Sequence, residues 1–210
     1  MSVDSGPCPL SPPPVDSRPV RRREEQILAE VSRLTARDLL LAEAHAGGKE
    51  MGPPTDLTTA LLGAARVLDA SAVPYALVGG LAVAIHAACP RATRDIDLAV
   101  RSDADLARLV DALGREGFVR GRRFEHTINL RHEKGQVVQL LFEPTLDPAI
   151  DRAETFQLGK AKVRIVTRED LIALKERAAA DRTRRRSKAL HDQADVEMLR
   201  GDVPDPEEGW

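Results

Sequence analysis

YALVGGLAVAIHAACPRATRDIDLAV, residues 75–100, decides how the rest of the chain is arranged. A short apolar run, Tyr75 to Val78, stops at Gly79-Gly80. Small apolar residues follow from Leu81 to Ala88, and Pro90 closes them. After Arg91-Ala92-Thr93-Arg94 comes Asp95-Ile96-Asp97-Leu98-Ala99-Val100. The pattern reads as strand, glycine turn, short helix, basic loop, strand. Alternate side chains of a strand share a face, so Asp95 and Asp97 point one way while Ile96 and Leu98 point to the core. Two neighbouring carboxylates on one face repel each other, and a divalent cation would neutralise them. Glycines before a helix N-terminus offer backbone N–H groups to an anion such as phosphate. A metal with a triphosphate suits this geometry.

The order GG, RATRD and DID, on strand, turn, helix and strand, resembles the polymerase-beta-like nucleotidyltransferase superfamily. Within it the sequence is most similar to small bacterial proteins of the AbiEii/AbiGii and minimal nucleotidyltransferase type. The likeness runs from about Leu57 to Leu199, and its specific part is the central stretch. The resemblance implies an α/β (α+β) fold with a mixed β-sheet flanked by helices. It implies that Asp95 and Asp97 are catalytic and hold one or two Mg²⁺ ions. It also implies that Gly79, Gly80, Arg91, Thr93 and Arg94 bind the phosphates of a nucleoside triphosphate substrate, ATP among them.

Composition agrees with a globular chain. Of 210 residues, 42% are hydrophobic and 30% charged, enough for one good-sized domain with appendages. A formal net charge of −2 does not favour nucleic acid or a membrane surface, and 3% aromatics argues against a base-stacking platform. Cys8 and Cys89 have no metal-ligand spacing and suggest no disulfide framework, which fits a reducing compartment. No apolar run reaches the ~20 residues a bilayer span needs. Prolines and acids stand where a signal peptide needs its apolar core, so the expectation is a cytoplasmic protein.

In chain order, residues 1–20 form a Pro- and Ser-rich tail with too little apolar surface to offset its ordering entropy, and are expected to be disordered. Arg21 to Ala46 reads as an accessory helix with Ile27, Val31 and Leu34 on its apolar side, either packed on the domain or serving a partner protein or homodimer. Residues 47–54 are a linker. Thr55 or Asp56 caps a helix striped by Leu57, Ala60, Leu61, Ala64, Val67 and Leu68. His86 reads as a packed histidine. Ser102 with Asp105 makes a capping-box pattern before Leu106, Leu109, Val110 and Leu113. Phe124–Leu130 and Val137–Phe142 read as strands flanking the DID strand.

Relatives commonly carry a third carboxylate on a neighbouring strand, and here the matching residue is Gln139. A glutamine can lend a carbonyl oxygen to a metal but brings no charge and no useful basicity. Glu143 would lie some 13 Å further along the strand at ~3.3 Å per residue, and Glu125 is another substitute. Thr155–Leu158 and Lys162–Val166 read as a hairpin. Thr167 with Asp170 opens a helix containing Leu171, Leu174 and Ala178. Its Leu171-Ile172-Ala173-Leu174-Lys175 is similar to a segment whose lysine reaches the nucleotide in these relatives, which assigns Lys175 to nucleotide binding. The run Arg182–Arg186 with Lys188 reads as a solvated loop, or as a grip on a triphosphate or RNA. Leu190, Ala194 and Met198 are expected to stripe the last helix, with Asp192 and Asp195 outward.

The divisions are thus a domain at residues 55–166, C-terminal helices at 167–200 and an exposed tail at 201–210. The expected function is metal-dependent transfer of a nucleoside monophosphate from an NTP to a hydroxyl on a protein, an RNA such as tRNA, or a small molecule. The alternatives are a catalytically degenerate nucleotide-binding regulatory module, or one half of a toxin–antitoxin pair.

Overall fold

The computed structural model describes residues 21–45, 57–133, 135–158 and 161–201. The expected tail at 1–20, the linker at 47–54, the cap at Thr55 or Asp56, the hairpin turn at Gly159-Lys160 and the C-terminal tail beyond Gly201 lie outside these residues. Helix α1 runs Arg21–His45 and α2 Leu57–Ala70. The decisive stretch forms β1 (Tyr75–Val78), α3 (Gly79–Ala87) and β2 (Asp95–Val100), in the order its pattern dictates. Then follow α4 (Leu106–Arg115), β3 (Phe118–Arg123), β4 (Thr127–His132) and β5 (Val137–Leu141). A 3₁₀ turn, Pro144–Leu146, leads into α5 (Asp147–Asp151), β6 (Glu154–Leu158) and β7 (Ala161–Ile165). Helices α6 (Arg168–Ala180) and α7 (Arg186–Arg200) complete the order.

The strands form one mixed seven-stranded sheet, ordered β3-β4-β5-β2-β1-β7-β6. β2 lies near its middle, antiparallel to β1 and parallel to β5. This parallel neighbour is reached by a long crossover through α4 and the β3–β4 hairpin, as parallel pairing requires. Ile96 and Leu98 of β2, Val138 and Leu140 of β5, and Ile128 and Leu130 of β4 are buried on one face. On the other face Asp97 pairs with Gln139 across the ladder, and Asp95 with Val137.

Three local expectations need correction. Strand β3 has no counterpart in the sequence pattern: only Phe118 of its residues is buried, so it lacks the alternation that marks a half-buried strand. It is an edge strand carrying Arg120, Arg122 and Arg123, a charged composition that discourages pairing with another chain. The following strand starts at Thr127 rather than Phe124. Asp105, not Ser102, caps α4 by accepting from the Arg108 amide at 3.1 Å, while Ser102 is held by Asp147. The Thr167 cap stands as expected, its hydroxyl accepting from the Asp170 amide at 3.1 Å. Helix α1 packs within its own chain, burying Ile27, Leu28, Val31 and Thr35. His86 is a packed residue whose Nε2 donates to the Val166 carbonyl at 2.7 Å and whose ring meets Phe156 edge-on.

Candidate functional site

At the end of β2 nearest its N-terminus a cavity of about 310 Å³ opens, at the low end of ligand-pocket size. Asp95, Asp97 and Gln139 stand on its sheet side, with Gly79 at the start of α3. Lys175 of α6, Arg184 of the α6–α7 loop, and Lys188 and Asp192 of α7 line it from the helical side. Leu141, Leu146, Leu171, Leu174 and Ala178 make its apolar wall. The sheet thus supplies the acids and the C-terminal helices the bases.

Gly79 shows why the turn takes this sequence. Its φ of +68° suits glycine, and a Cβ there would stand 2.0 Å from Asp97 Oδ2. The turn and the carboxylate can share this space only while residue 79 has no side chain. At Gly80 a Cβ would stand 2.7 Å from Arg91 Nη2 and 3.0 Å from Thr93 Oγ1, so the basic loop lies close over the start of α3.

Burial, and then repulsion from Asp95, push the Asp97 carboxyl up to about 6 from 3.8, although Lys175, Lys188 and Arg184 oppose this. Asp95 is also raised, by desolvation, against the pull of Lys188, Arg94 and Arg131. Two carboxyls held back from ionisation on one wall of a cleft make Asp95 and Asp97 candidates for a functional site. Gln139 does occupy the position beside the pair: its Nε2 donates to Asp95 Oδ2 at 3.1 Å. Neither expected substitute reaches the cavity. Glu125 is largely exposed beside His126, and Glu143 accepts from the Thr145 hydroxyl. Among the described residues no group of three or more His, Cys, Asp or Glu side chains is placed to hold a metal ion.

The last helix corrects the sequence reading most sharply. Asp192 and Asp195 face inward, 3% and 1% exposed, whereas Leu190 is 53% exposed. The buried stripe is Asp192, Asp195, Val196 and Leu199, spaced i, i+3, i+4, i+7. Two carboxylates can stand in such a stripe because cations from other elements meet them. Lys175 Nζ lies 2.9 Å from Asp192 and 2.7 Å from Asp195, and Arg184 Nε lies 2.6 Å from Asp192. Arg91 Nη2 lies 3.2 Å from Asp195. The signal available in the sequence was that Asp192 and Asp195 keep helical register with Val196 and Leu199. The habit of placing acids outward concealed it.

The structure therefore brings Asp95, Asp97, Gly79 and Lys175 to one cavity. Gly80 lies just inside α3, behind the turn. Arg91, Thr93 and Arg94 are outside the cavity wall: Arg91 is turned toward Asp195, Thr93 donates through its hydroxyl to the Asp95 carbonyl, and Arg94 is exposed. Arg91 keeps a buried Nε with no hydrogen-bond partner among the described residues. Of the basic run, Arg184 and Lys188 join the site, and Arg182, Arg185 and Arg186 are exposed. Lys188 makes no salt bridge with another side chain among the described residues, and its charge acts on Asp95 and Asp97 across the cavity.

The family model described as nucleotidyl transferase AbiEii toxin, type IV TA system, matches residues 60–208. An antigenic nucleotidyltransferase-like protein from Paracoccidioides brasiliensis has a similar crystal structure, with 24% identity and a TM-score of 0.52 over 68% of this chain and 74% of its own. The fold likeness rests on that structure. At lower scores stand the lincomycin-bound lincosamide antibiotic adenylyltransferase LnuA, with 15% identity, TM-score 0.48, and coverage of 66% of this chain and 92% of its own. ANT(2″)-Ia in complex with adenylyl-2″-tobramycin gives 16%, 0.49, 69% and 91% in the same order. No curated protein sequence matches the chain. Among the described residues no helix is long and apolar enough to cross a membrane.

Proposed function

The chain belongs to the AbiEii nucleotidyltransferase family, and from that premise we propose that the Asp95–Asp97 cavity transfers a nucleoside monophosphate from an NTP to an acceptor hydroxyl. The observation that carries the proposal is the opposition of two ionisation-resistant carboxyls to a wall of cations in one cleft.

The donor set fits a divalent cation of the Mg²⁺ kind. Asp95 and Asp97 are hard oxygen donors on one face, and an ion between them would relieve the repulsion and desolvation that hold them back from ionising. Mg²⁺ ordinarily takes one or two carboxylates with substrate phosphates, so the absence of a third acid does not disqualify the pair. When bound, such an ion supplies Lewis-acid neutralisation of charge on phosphate oxygens.

This chain's own side chains do the rest. Lys188, unpaired, meets the triphosphate first. Lys175 and Arg184, held at the cavity by their salt bridges to Asp192 and Asp195, donate hydrogen bonds to its oxygens. Gly79 keeps the turn clear beside Asp97. Gln139 holds Asp95 through its amide and takes no proton, so the acceptor hydroxyl loses its proton to another group or to solvent. The apolar wall of Leu146, Leu171 and Leu174 suits a nucleobase or the body of an acceptor.

Titration of the protein with an NTP in the presence and absence of Mg²⁺ tests this. Saturable Mg²⁺-dependent binding that Lys188→Ala weakens is expected. Absence of binding at millimolar NTP would overturn the proposal. The specific observation behind a second reading is Gln139: binding with no transfer to any acceptor makes the protein a nucleotide-responsive module. The type IV toxin–antitoxin description belongs to the family, and for this chain a companion protein or tRNA is one acceptor class beside small molecules.

A further inference from the structure

We infer that Thr35, on the accessory helix α1 and outside the residues the family model matches, is a positioning residue for the Asp95–Asp97 pair. Its hydroxyl donates to the Thr93 carbonyl at 3.1 Å and accepts from the Thr93 amide at 3.1 Å. One side chain thus satisfies both backbone groups of one residue, taking the place of a ladder partner. Thr35 is 5% exposed, and Ile27, Leu28 and Val31 seat the helix a turn or two before it.

The need for such a clamp lies in the sheet. β2 pairs with β1 only from Asp97 onward, where Val78 is the last partner, and Asp95 and Ile96 pair with β5 alone. The first functional carboxylate therefore sits at the one-sided end of its strand, where a ladder frays most easily. Residues 90–93 before it have no regular structure. What fixes them is a set of tethers: Thr35 on Thr93, Gln136 Nε2 on the Arg94 carbonyl at 2.7 Å, and Asp195 on the Arg91 side chain at 3.2 Å. Thr93 passes its restraint on through its hydroxyl, which donates to the Asp95 carbonyl at 3.3 Å. Gln136 and Asp195 are held by the sheet and by α7. Thr35 is the tether that comes from the appended helix, so a hydrogen-bonded side chain of α1 reaches the acidic end of the site, beside the packing of α1 on α3.

The inference rests on the proposed transfer site for its functional meaning, and its test separates the two. Deleting α1 would expose Ile27, Leu28 and Val31 contacts and endanger the fold, so the variants are Thr35→Val, which keeps shape and loses both hydrogen bonds, and Thr35→Ser, which keeps them. Amide hydrogen exchange of the metal-free protein is read over residues 93–97 and over residues 98–100. In Thr35→Val the first segment is expected to exchange roughly tenfold faster, the scale that loss of one or two ordinary hydrogen bonds permits. The second segment should hold, and Thr35→Ser should restore wild-type exchange. Uniform acceleration of both segments, or acceleration at Thr93 alone, would overturn the inference and reduce Thr35 to a packing residue. Where the wild type transfers nucleotide, Thr35→Val should lower kcat about tenfold with KM for NTP nearly unchanged, and an unaltered kcat would also overturn it. A wild type that neither binds nor transfers nucleotide overturns the proposed function, while exchange still decides the clamp.

Discussion

Replacing Asp97 by asparagine removes one of two crowded carboxylates, and the structure fixes the sign of the result. Burial and Asp95 hold the Asp97 carboxyl at about 6 instead of 3.8 in the folded protein. A folded state with the higher pKa binds the proton more tightly than the unfolded chain. Stability from this group is therefore present at low pH and declines as pH rises from about 4 through about 6. Above that window the ionised carboxylate costs the metal-free fold on the order of 3 kcal/mol, at ~1.4 kcal/mol for each pH unit between the unfolded and folded values. Asp97→Asn removes the cost and keeps the shape. At ~2–4 °C per kcal/mol for a chain of this size, the variant should melt on the order of 5–10 °C higher than wild type at pH 8 without divalent cation. The gap should shrink as pH falls through 6 and close only below about 4, where the carboxyl is protonated in the unfolded chain as well as in the folded one. The assay is a set of thermal melts of both proteins in EDTA from pH 3.5 to pH 8, in which the difference cancels the titrating groups that do not interact with residue 97. With Mg²⁺ at pH 8 the wild type should recover stability and the variant should not. A variant less stable than wild type at pH 8, or a difference independent of pH, would refute the reasoning.

The remaining expectations concern the residues around this pair. Gly79→Ala should lose at least ~1–3 kcal/mol in denaturant melts, since it combines a strained φ with a Cβ driven against Asp97, and it should also lose the Mg²⁺-dependent rise in melting temperature. Lys175→Met leaves two buried carboxylates short of a cation and should cost ~3–5 kcal/mol by equilibrium unfolding, whereas Lys188→Ala, at an exposed residue without a salt bridge among the described residues, should lower the unfolding midpoint far less while weakening NTP binding by calorimetry. Gln139→Asp puts a third carboxylate next to Asp95, so the metal-free protein should melt lower and depend more steeply on Mg²⁺. If the new group also takes the acceptor's proton, transfer should rise by ~10²–10⁴-fold, and a variant unchanged in both melts and transfer would remove Gln139 from the site.

The central stretch was legible because its meaning is local. Period-two alternation sets Asp95 and Asp97 on one face, and only a glycine can stand where Gly79 stands. Gln139 was legible only through the resemblance to the family, which marks its position on a neighbouring strand, and the ladder sets it opposite Asp97. Contacts over long separations were not. Asp192 and Asp195 look like solvent-facing acids until Lys175, Arg184 and Arg91 arrive from 8 to 104 positions away. Strand β3 escaped for a different reason: an edge strand with arginines on its exposed positions shows no hydrophobic period to read. Thr35 carries no signal at all in the sequence, because its partner Thr93 is 58 positions on and joined through the backbone.

Transfer itself is tested most directly by incubating the protein with Mg²⁺ and NTPs labelled either at the α- or at the γ-phosphate, beside a cell extract as the source of acceptors. The account predicts that α-label becomes covalently attached to an acceptor while γ-label leaves as pyrophosphate. Asp97→Asn, which should fold at least as stably as wild type, should abolish the attachment. Covalent attachment of γ-label, or α-label attachment that survives in Asp97→Asn, would contradict the claim that this carboxylate pair carries nucleotidyl transfer.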